Sequence, residues 1–306
     1  MQRREFIEVT AGVLAGALAA KAGTAAETAA TPTLLQRVIP SSGESIPVIG
    51  LGTSGPFEVG VDPQQRAPLS AVLEAFFAGG GTFIDTSPMY STAEAVLGDL
   101  LTPAMQERAF VATKVWTRGE QEGVRQMTRS RELLRRRKID LMQVHNLLDL
   151  EVHLRTLRRW KAEGRIRYIG ITHYTVASQE ALAEIIRREP IDFVQFNYSA
   201  TTTAAEHTLL PLCADRGVAT IVNRAFDDGK IFAQLRGKPL PSWAADIGCS
   251  SWAQVLLKYV ISHPAVTCVI PATGKMANMQ DNLAAGRGAL PDAQLRRTIA
   301  ATVQQV

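Results

Sequence analysis

A chain of 306 residues with 46% hydrophobic and 20% charged side chains has the make-up of a soluble globular protein, long enough for one large α/β domain. Its net charge of +4 is mild, and many arginines fall in two predicted helices (125–137 and 155–167) with no nucleic-acid-binding module beside them. They read as a solvated face, which argues against nucleic acid as a partner. Cys213, Cys249 and Cys268 are too few and too dispersed for a disulfide framework or a zinc site. Unpaired buried thiols are expected, with one bridged pair in an oxidising compartment left open.

Residues 1–30 stand apart. Arg3 and Arg4 precede Phe6 and Ile7, a weakly apolar, uncharged run follows from Val9 to Ala20, and Lys21 lies among alanines. The order resembles a twin-arginine export signal. The run is shorter than the roughly 20 apolar residues a bilayer span needs, so no stable membrane insertion is expected. The expectation is a leader over 1–30 that engages the export machinery, a domain over 31–306, and a periplasmic protein exported folded. Cleavage could fall anywhere from Ala20 to Ala30.

From Leu34 to Val48 two short apolar stretches flank a turn at Ser41 to Glu44, a β-hairpin pattern. A repetition then begins. Apolar strands are expected at Ile49, Phe83, Phe110 to Ala112, Leu141 to Val144, Tyr168 to Ile171, Phe193 to Phe196, Ala219 to Val222 and Thr267 to Ile270. Helical patterns lie between or after them at 68–78, 93–100, 122–137, 151–163, 178–188, 205–216, 251–262 and 276–286, with a last one at 292–303. Ser178 and Ser251 stand at N-cap positions, and Gly164 and Gly217 follow the last periodic residues. Gly79 to Gly81 suit a helix end and a tight turn; neither they nor Gly50 and Gly52 have dinucleotide-fingerprint spacing. Eight strand–helix units without an internal linker predict an α/β fold, a (β/α)8 TIM barrel with an N-terminal β-hairpin and one extra C-terminal helix. The irregular stretch 227–248 follows the seventh strand.

A barrel places its chemistry at the C-terminal strand ends. The polar residues there are Asp85, Lys114, His145, Thr172 with His173, Gln195, and Asn223 with Arg224; Tyr90 lies five residues beyond Asp85. A carboxylate at the end of a core strand requires a cation, and Lys114 ends the next strand.

Beyond the leader the chain resembles the aldo-keto reductases. The stretch Ile84 to Tyr90 matches their second-strand motif, Lys114 and His145 end the third and fourth strands, Gly164 to Gly170 is similar to their glycine-lysine-isoleucine-arginine stretch, and Val269 to Pro271 opens their cofactor segment. The resemblance implies reduction of an aldehyde or ketone by NAD(P)H, with a small carbonyl substrate, a monomer and no metal. The chemistry is coherent in its own right. Hydride delivery to carbon requires an acid aimed at oxygen, and a free phenol near pKa 10 donates reluctantly at neutral pH. An adjacent lysine ammonium is expected to lower that pKa toward the working range, with Asp85 holding the lysine. Tyr90 is therefore the expected acid, Lys114 and Asp85 its tuning pair, and a neutral His145 the group that orients the carbonyl oxygen or shares in proton relay.

The resemblance also assigns a cofactor set. Gly52, Thr53 and Asp85 fall on its inner strands, and Thr172, His173 and Gln195 on the nicotinamide carboxamide. Asn223 occupies the place of a stacking aromatic, with Arg224 as the alternative platform. Thr273, Gly274, Lys275, Asn278, Asp281 and Asn282 fall on the adenosine end. Two usual cations of the 2′-phosphate clamp are Ala272 and Asn278 here, leaving Lys275. NADP(H) is expected over NAD(H), with a weakened preference. Phe57, Phe226 and Trp116 are expected to line the substrate side. A rival reading is a regulatory subunit of the same fold that binds cofactor and acts through a protein partner. An unrelated barrel hydrolase or lyase would require paired carboxylates or a metal cluster at the strand ends.

Overall fold

The computed structural model describes residues 33–305. The leader over 1–30 lies outside them.

A two-stranded antiparallel hairpin, β1 (Gln36–Val38) and β2 (Ser45–Pro47), precedes eight parallel strands in one sheet. These are β3 (Leu51–Gly52), β4 (Phe83–Asp85), β5 (Phe110–Val115), β6 (Ile139–His145), β7 (Ile166–Thr172), β8 (Phe193–Asn197), β9 (Ala219–Asn223) and β10 (Cys268–Val269). Each pairs with its successor, and parallel bridges from Ile49 to Val269 and from Gly52 to Ala272 join the first strand to the last. The result is the (β/α)8 barrel. The helices are α1 (Pro63–Ala78), α2 (Ala93–Leu100), α3 (Pro103–Arg108), α4 (Glu120–Leu133), α5 (Leu150–Ala162) and α6 (Gln179–Arg188). After them come α7 (Leu209–Arg216), α8 (Lys230–Gln234), α9 (Trp243–Asp246), α10 (Trp252–Ile261), α11 (Met276–Ala285) and α12 (Ala293–Gln304).

Strand alternation divides the apolar residues into two populations. Outward residues such as Ile84, Val111, Met142, Ile171 and Val194 pack beneath the helices. Inward residues Phe83, Phe110, Leu141, Tyr168 and Phe193 form a separate buried cluster that also takes Ile39 and Ile46 from the hairpin region. The hairpin thus plugs the N-terminal end of the barrel. Two residues further along the same inward rows come Asp85, Gln143 and Gln195, so an apolar floor carries a polar layer toward the C-terminal mouth.

Several boundaries differ from expectation. Helix α1 starts at Pro63 rather than 68, because Asp62 caps the Gln64 amide and Pro63 suits the first helical position. Pro68 is carried inside the helix at the loss of one backbone bond. Helix α4 spans 120–133 instead of 122–137, since Arg135 turns left-handed at φ 54°. Helix α7 begins at Leu209 after a separate 3₁₀ turn at Ala204–Glu206. The stretch 227–248 contains the two short helices α8 and α9, and α3 was not anticipated although Thr102 and Pro103 mark its start. Ser251 caps α10, but the Ser178 hydroxyl bonds Thr175 instead of an amide of α6. Gly79 ends α1, and Gly80 makes the turn into β4 at φ 93°. Cys213, Cys249 and Cys268 are buried free thiols.

Candidate active site

The inward rows converge at the end of β4. One oxygen of Asp85 accepts from the Lys114 ammonium at 2.7 Å. The other accepts from the side-chain amides of Gln195 (2.8 Å) and Gln143 (3.2 Å). Lys114 also donates to the Thr86 carbonyl at 2.8 Å, and its side chain has no exposed surface. Burial disfavours the ammonium, but Asp85 and then Tyr90 outweigh it, so its pKa is raised above the ordinary lysine value. Gly170 faces this layer from β7: a Cβ there would stand 3.0 Å from Cγ of Gln143, so glycine leaves room for the amide to reach Asp85.

Tyr90 lies over this pair, with the Lys114 Nζ 4.9 Å from the centroid of its ring. Its phenol pKa is raised, not lowered as the sequence suggested. Burial pushes it up, Lys114 opposes, and Asp85 adds to the rise. The reason is geometric: the lysine's charge is shared with a carboxylate at 2.7 Å, and what remains does not overcome desolvation of the phenolate. The phenol is therefore held protonated, the form an acid requires.

His145 faces Tyr90 edge-on, ring centroids 6.4 Å apart, and its Nδ1 is 3.4 Å from the Ser87 hydroxyl. Burial, then Lys114 and His173, lower its pKa to about 3, so the imidazole is neutral across the physiological range. Beside it, Asn146 and Leu147 both take left-handed backbone (φ 52° and 59°), and the Asn146 Oδ1 is buried without a hydrogen-bond partner among the described residues.

A cavity of about 660 Å³ opens above these groups. Gly52, Thr53, Asp85, Tyr90, His145, Thr172, Gln195, Asn223 and Arg224 all line it, while Lys114 is buried beneath. Thr53 anchors its side through two bonds to the Asp85 carbonyl, 3.0 Å from the hydroxyl and 3.2 Å from the amide. Gly52 needs its bare Cα, since a Cβ would stand 2.7 Å from the Ile270 carbonyl. Thr172 donates to the Gln195 Oε1 at 3.2 Å and Asn223 donates to the same atom at 3.3 Å, leaving the Asn223 Oδ1 buried and unpartnered among the described residues.

Other expected residues are placed elsewhere. His173 does not line the cavity: its Nδ1 accepts from the Tyr174 and Thr175 amides, and its ring stacks on Tyr174 at 5.4 Å. The Arg224 guanidinium lies 4.4 Å over the other aromatic contact of that stack, the Tyr174 ring, and pairs with Asp228 at 3.3 Å. The cavity wall reaches Ala272 but not Thr273, Gly274, Lys275, Asn278, Asp281 or Asn282, which lie around the start of α11. Thr273 accepts from the Lys275 amide at 3.1 Å, Lys275 and Asn278 are exposed, and Asn282 is buried. Asp281 accepts from Ser251 (2.7 Å) and Gln254 (2.6 Å). Trp116 and Phe226 line the cavity, but Phe57 is fully buried in the outer core and does not, a correction to the expected lining. The reading from sequence overlooked Gln143, Ser87, Met89, Tyr174 and Phe232. Gln143 was detectable, standing two residues before His145 on the same face of its strand. Ser87, Met89 and Tyr174 lie on loops, where periodicity says nothing, and Phe232 lies in the short helix α8, which was not anticipated. Among the described residues no group of His, Cys, Asp and Glu is arranged to hold a metal ion.

Comparison with known proteins identifies the family and matches the fold. Residues 48–301 match the family model described as the aldo/keto reductase family. Methylglyoxal reductase YeaE of Escherichia coli (strain K12) is 30% identical over 268 residues, covering 85% of this chain and 93% of that protein. An aldo-keto reductase of Klebsiella pneumoniae, solved in complex with NADPH, superposes with a TM-score of 0.74 at 23% identity, over 89% of this chain and 95% of that one. The holo form of an aldo-keto reductase from Bacillus halodurans superposes with a TM-score of 0.69 at 22% identity, over 88% and 96%. With its family model matched across nearly the whole barrel, this chain belongs to the aldo/keto reductase family.

Proposed function

We propose that this protein reduces an aldehyde or ketone to an alcohol with NADP(H), Tyr90 acting as general acid. The observation that carries the reading is the line Asp85–Lys114–Tyr90 facing a neutral His145 across one cavity. The polar floor fits a nicotinamide carboxamide: Thr172, Gln195 and Asn223 meet there, and the Asn223 Oδ1 has no partner among the described residues. A bound nicotinamide dinucleotide supplies the hydride. The protein's own residues govern the proton and the orientation. Tyr90 gives its proton to the carbonyl oxygen as negative charge develops there, and the ammonium of Lys114 beneath the ring stabilises the phenolate left behind. Asp85 keeps Lys114 charged and fixed. His145, neutral, hydrogen-bonds the carbonyl oxygen and holds it toward Tyr90.

NADP(H) rather than NAD(H) is supported by the similar Klebsiella structure, which was solved with NADPH. Lys275, exposed beside the start of α11, is the cation left to take the 2′-phosphate. Titration of the pure protein with NADPH and NADH, followed by nicotinamide fluorescence, tests this, and equal affinities for the two would sink it. The name of the Escherichia coli relative makes methylglyoxal the first carbonyl to assay. Tyr90→Phe is expected to abolish reduction while NADPH binding survives; wild-type turnover in that variant would remove Tyr90 as the acid. The leader-like residues 1–30 support export with cofactor already bound, and a periplasmic protein purified without nucleotide and with no micromolar affinity for it would rule that out.

A further inference from the structure

Glu94 is a buried carboxyl group at the edge of the site that the proposed chemistry leaves unused. It is the second residue of α2 and only 2% exposed, and among the described residues it forms no salt bridge. One carboxyl oxygen accepts from the Thr113 hydroxyl at 2.6 Å and the other from the Ser130 hydroxyl at 3.0 Å. Burial pushes its pKa up. A carboxylate under helices is expensive to hold, and two neutral hydroxyls are a poor exchange for water. A leucine would fill the space at lower cost, so the position calls for a reason other than stability.

Its neighbours supply one. Tyr90 lies four residues earlier on the same segment, and its carbonyl accepts from the Ala93 amide at 2.8 Å at the entry to α2. Thr113 immediately precedes Lys114 on β5; strand alternation turns Thr113 outward to Glu94 and Lys114 inward to Asp85 and the Tyr90 ring. Ser130 ties the same carboxylate to α4. Other side-chain ties of the Tyr90 loop do not reach β5: Ser87 meets the Met89 amide and, at 3.4 Å, the His145 Nδ1, and Thr92 donates to the Val59 carbonyl at an exposed site. On the N-terminal side of Tyr90 the segment is held to β5 by Lys114, which bonds Asp85 and the Thr86 carbonyl. On the C-terminal side the Glu94–Thr113 bond is a buried link between the segment bearing the acid and the strand bearing its lysine.

We propose that Glu94 is a positioning residue that clamps the Tyr90 segment to β5 and so fixes the phenol over Lys114. The inference rests on Tyr90 and Lys114 acting as proposed. It is tested in the full protein with Glu94→Ala, Thr113→Val and Glu94→Gln, alongside Tyr90→Phe, using methylglyoxal and NADPH. Misplacement on the scale of an ångström is expected to lower kcat about 10- to 100-fold in Glu94→Ala and Thr113→Val. The KM for carbonyl and the fluorescence-measured Kd for NADPH are expected to change less than about twofold, since binding groups are untouched. Glu94→Gln keeps an acceptor for Thr113 and a donor toward Ser130, and is expected to retain kcat within about threefold. Folded Glu94→Ala and Thr113→Val proteins with wild-type kcat would overturn the proposal. So would a Glu94→Gln variant as slow as Glu94→Ala, which would make the charge rather than the clamp responsible, or a KM and Kd that worsen in step with kcat. If Glu94→Ala does not fold, Thr113→Val decides. A fully active Tyr90→Phe would instead strike at the acid assignment itself, which separates the two failures.

Discussion

Asp85→Asn tests the centre of the site. The substitution keeps shape and removes charge from a group whose side chain is 3% exposed, paired with a lysine that is 0% exposed. Both Asp85 oxygens accept bonds, one from the Lys114 ammonium and the other from two amide NH₂ groups. An asparagine must turn its own NH₂ toward one of these donor sets, so it loses either the Lys114 bond or both amide bonds. Lys114 is left with the Thr86 carbonyl and Tyr90 for company, and burial then drives its ammonium toward the neutral form. Breaking a buried pair in this way costs about 3–5 kcal/mol. For a barrel of this size that is a fall in Tm of roughly 5–9 °C. Turnover is expected to fall by about 10²-fold, the lower range of what a positioned proton donor contributes. The pH dependence has a definite sign. Because the folded-state pKa of Lys114 is raised, the pair's stabilisation is complete below the unfolded lysine value near 10.4 and is lost as pH rises through the folded pKa. The Tm difference between parent and variant should therefore be constant from about pH 6 to 9. The double variant Asp85→Asn with Lys114→Met removes the stranded charge and should recover much of the lost Tm without recovering turnover. A single Asp85→Asn variant that melts with the parent and turns over normally would refute the reasoning.

Other expectations follow from the same contacts. The His145 pKa, lowered to about 3, means the unfolded chain takes up a proton near 6.5 while the fold resists it. Stability should fall on acidification between those values, by on the order of 4 kcal/mol from this group, and His145→Gln should flatten that limb of a Tm-versus-pH series. Gly98→Ala should loosen α2 from α4, because a Cβ there would stand 1.9 Å from the Leu133 carbonyl oxygen. A loss of about 3 kcal/mol by chemical denaturation is expected. Arg224→Gly relieves a left-handed residue (φ 54°) but removes the guanidinium stacked on Tyr174. The two effects, each about 1 kcal/mol, should leave Tm nearly unchanged while the NADPH Kd rises about fivefold.

Much of this arrangement was legible in the sequence because a parallel barrel writes its chemistry at one place in each repeat. The apolar runs ending in Asp85, Lys114 and His145 locate strand ends, and strand ends locate the site. The parts that were not legible lie where no period operates. Pro68 broke the helical pattern of α1 without breaking the helix, since the true start was set five residues earlier by Asp62 and Pro63. Phe57 looked like a pocket residue from its place in the first loop, but that loop folds back and buries it completely. Tyr174 reaches the cavity from the loop after β7, and Phe232 from the short helix α8, whose entry is set by left-handed Asp228 and Gly229. Local sequence supplies no signal for that.

The direction of the Tyr90 shift is the instructive failure. Pairwise chemistry says that a lysine lowers the pKa of a neighbouring phenol, and Lys114 does act that way here. Yet the barrel buries the same lysine against a carboxylate with two further amide donors, and it buries the phenol as well. The ammonium was therefore never free to be spent on Tyr90 alone. The arrangement keeps the phenol protonated and the lysine charged, an acid at rest over a fixed cation. In the proposed reaction, negative charge on the carbonyl oxygen would change the balance, because the proton would then move toward that charge while the cation beneath stabilised what it left. On that proposal the site is organised around charge that arises during reaction. A substitution at Asp85, Gln143 or Glu94 should accordingly be felt in kcat before it is felt in the binding of either reactant.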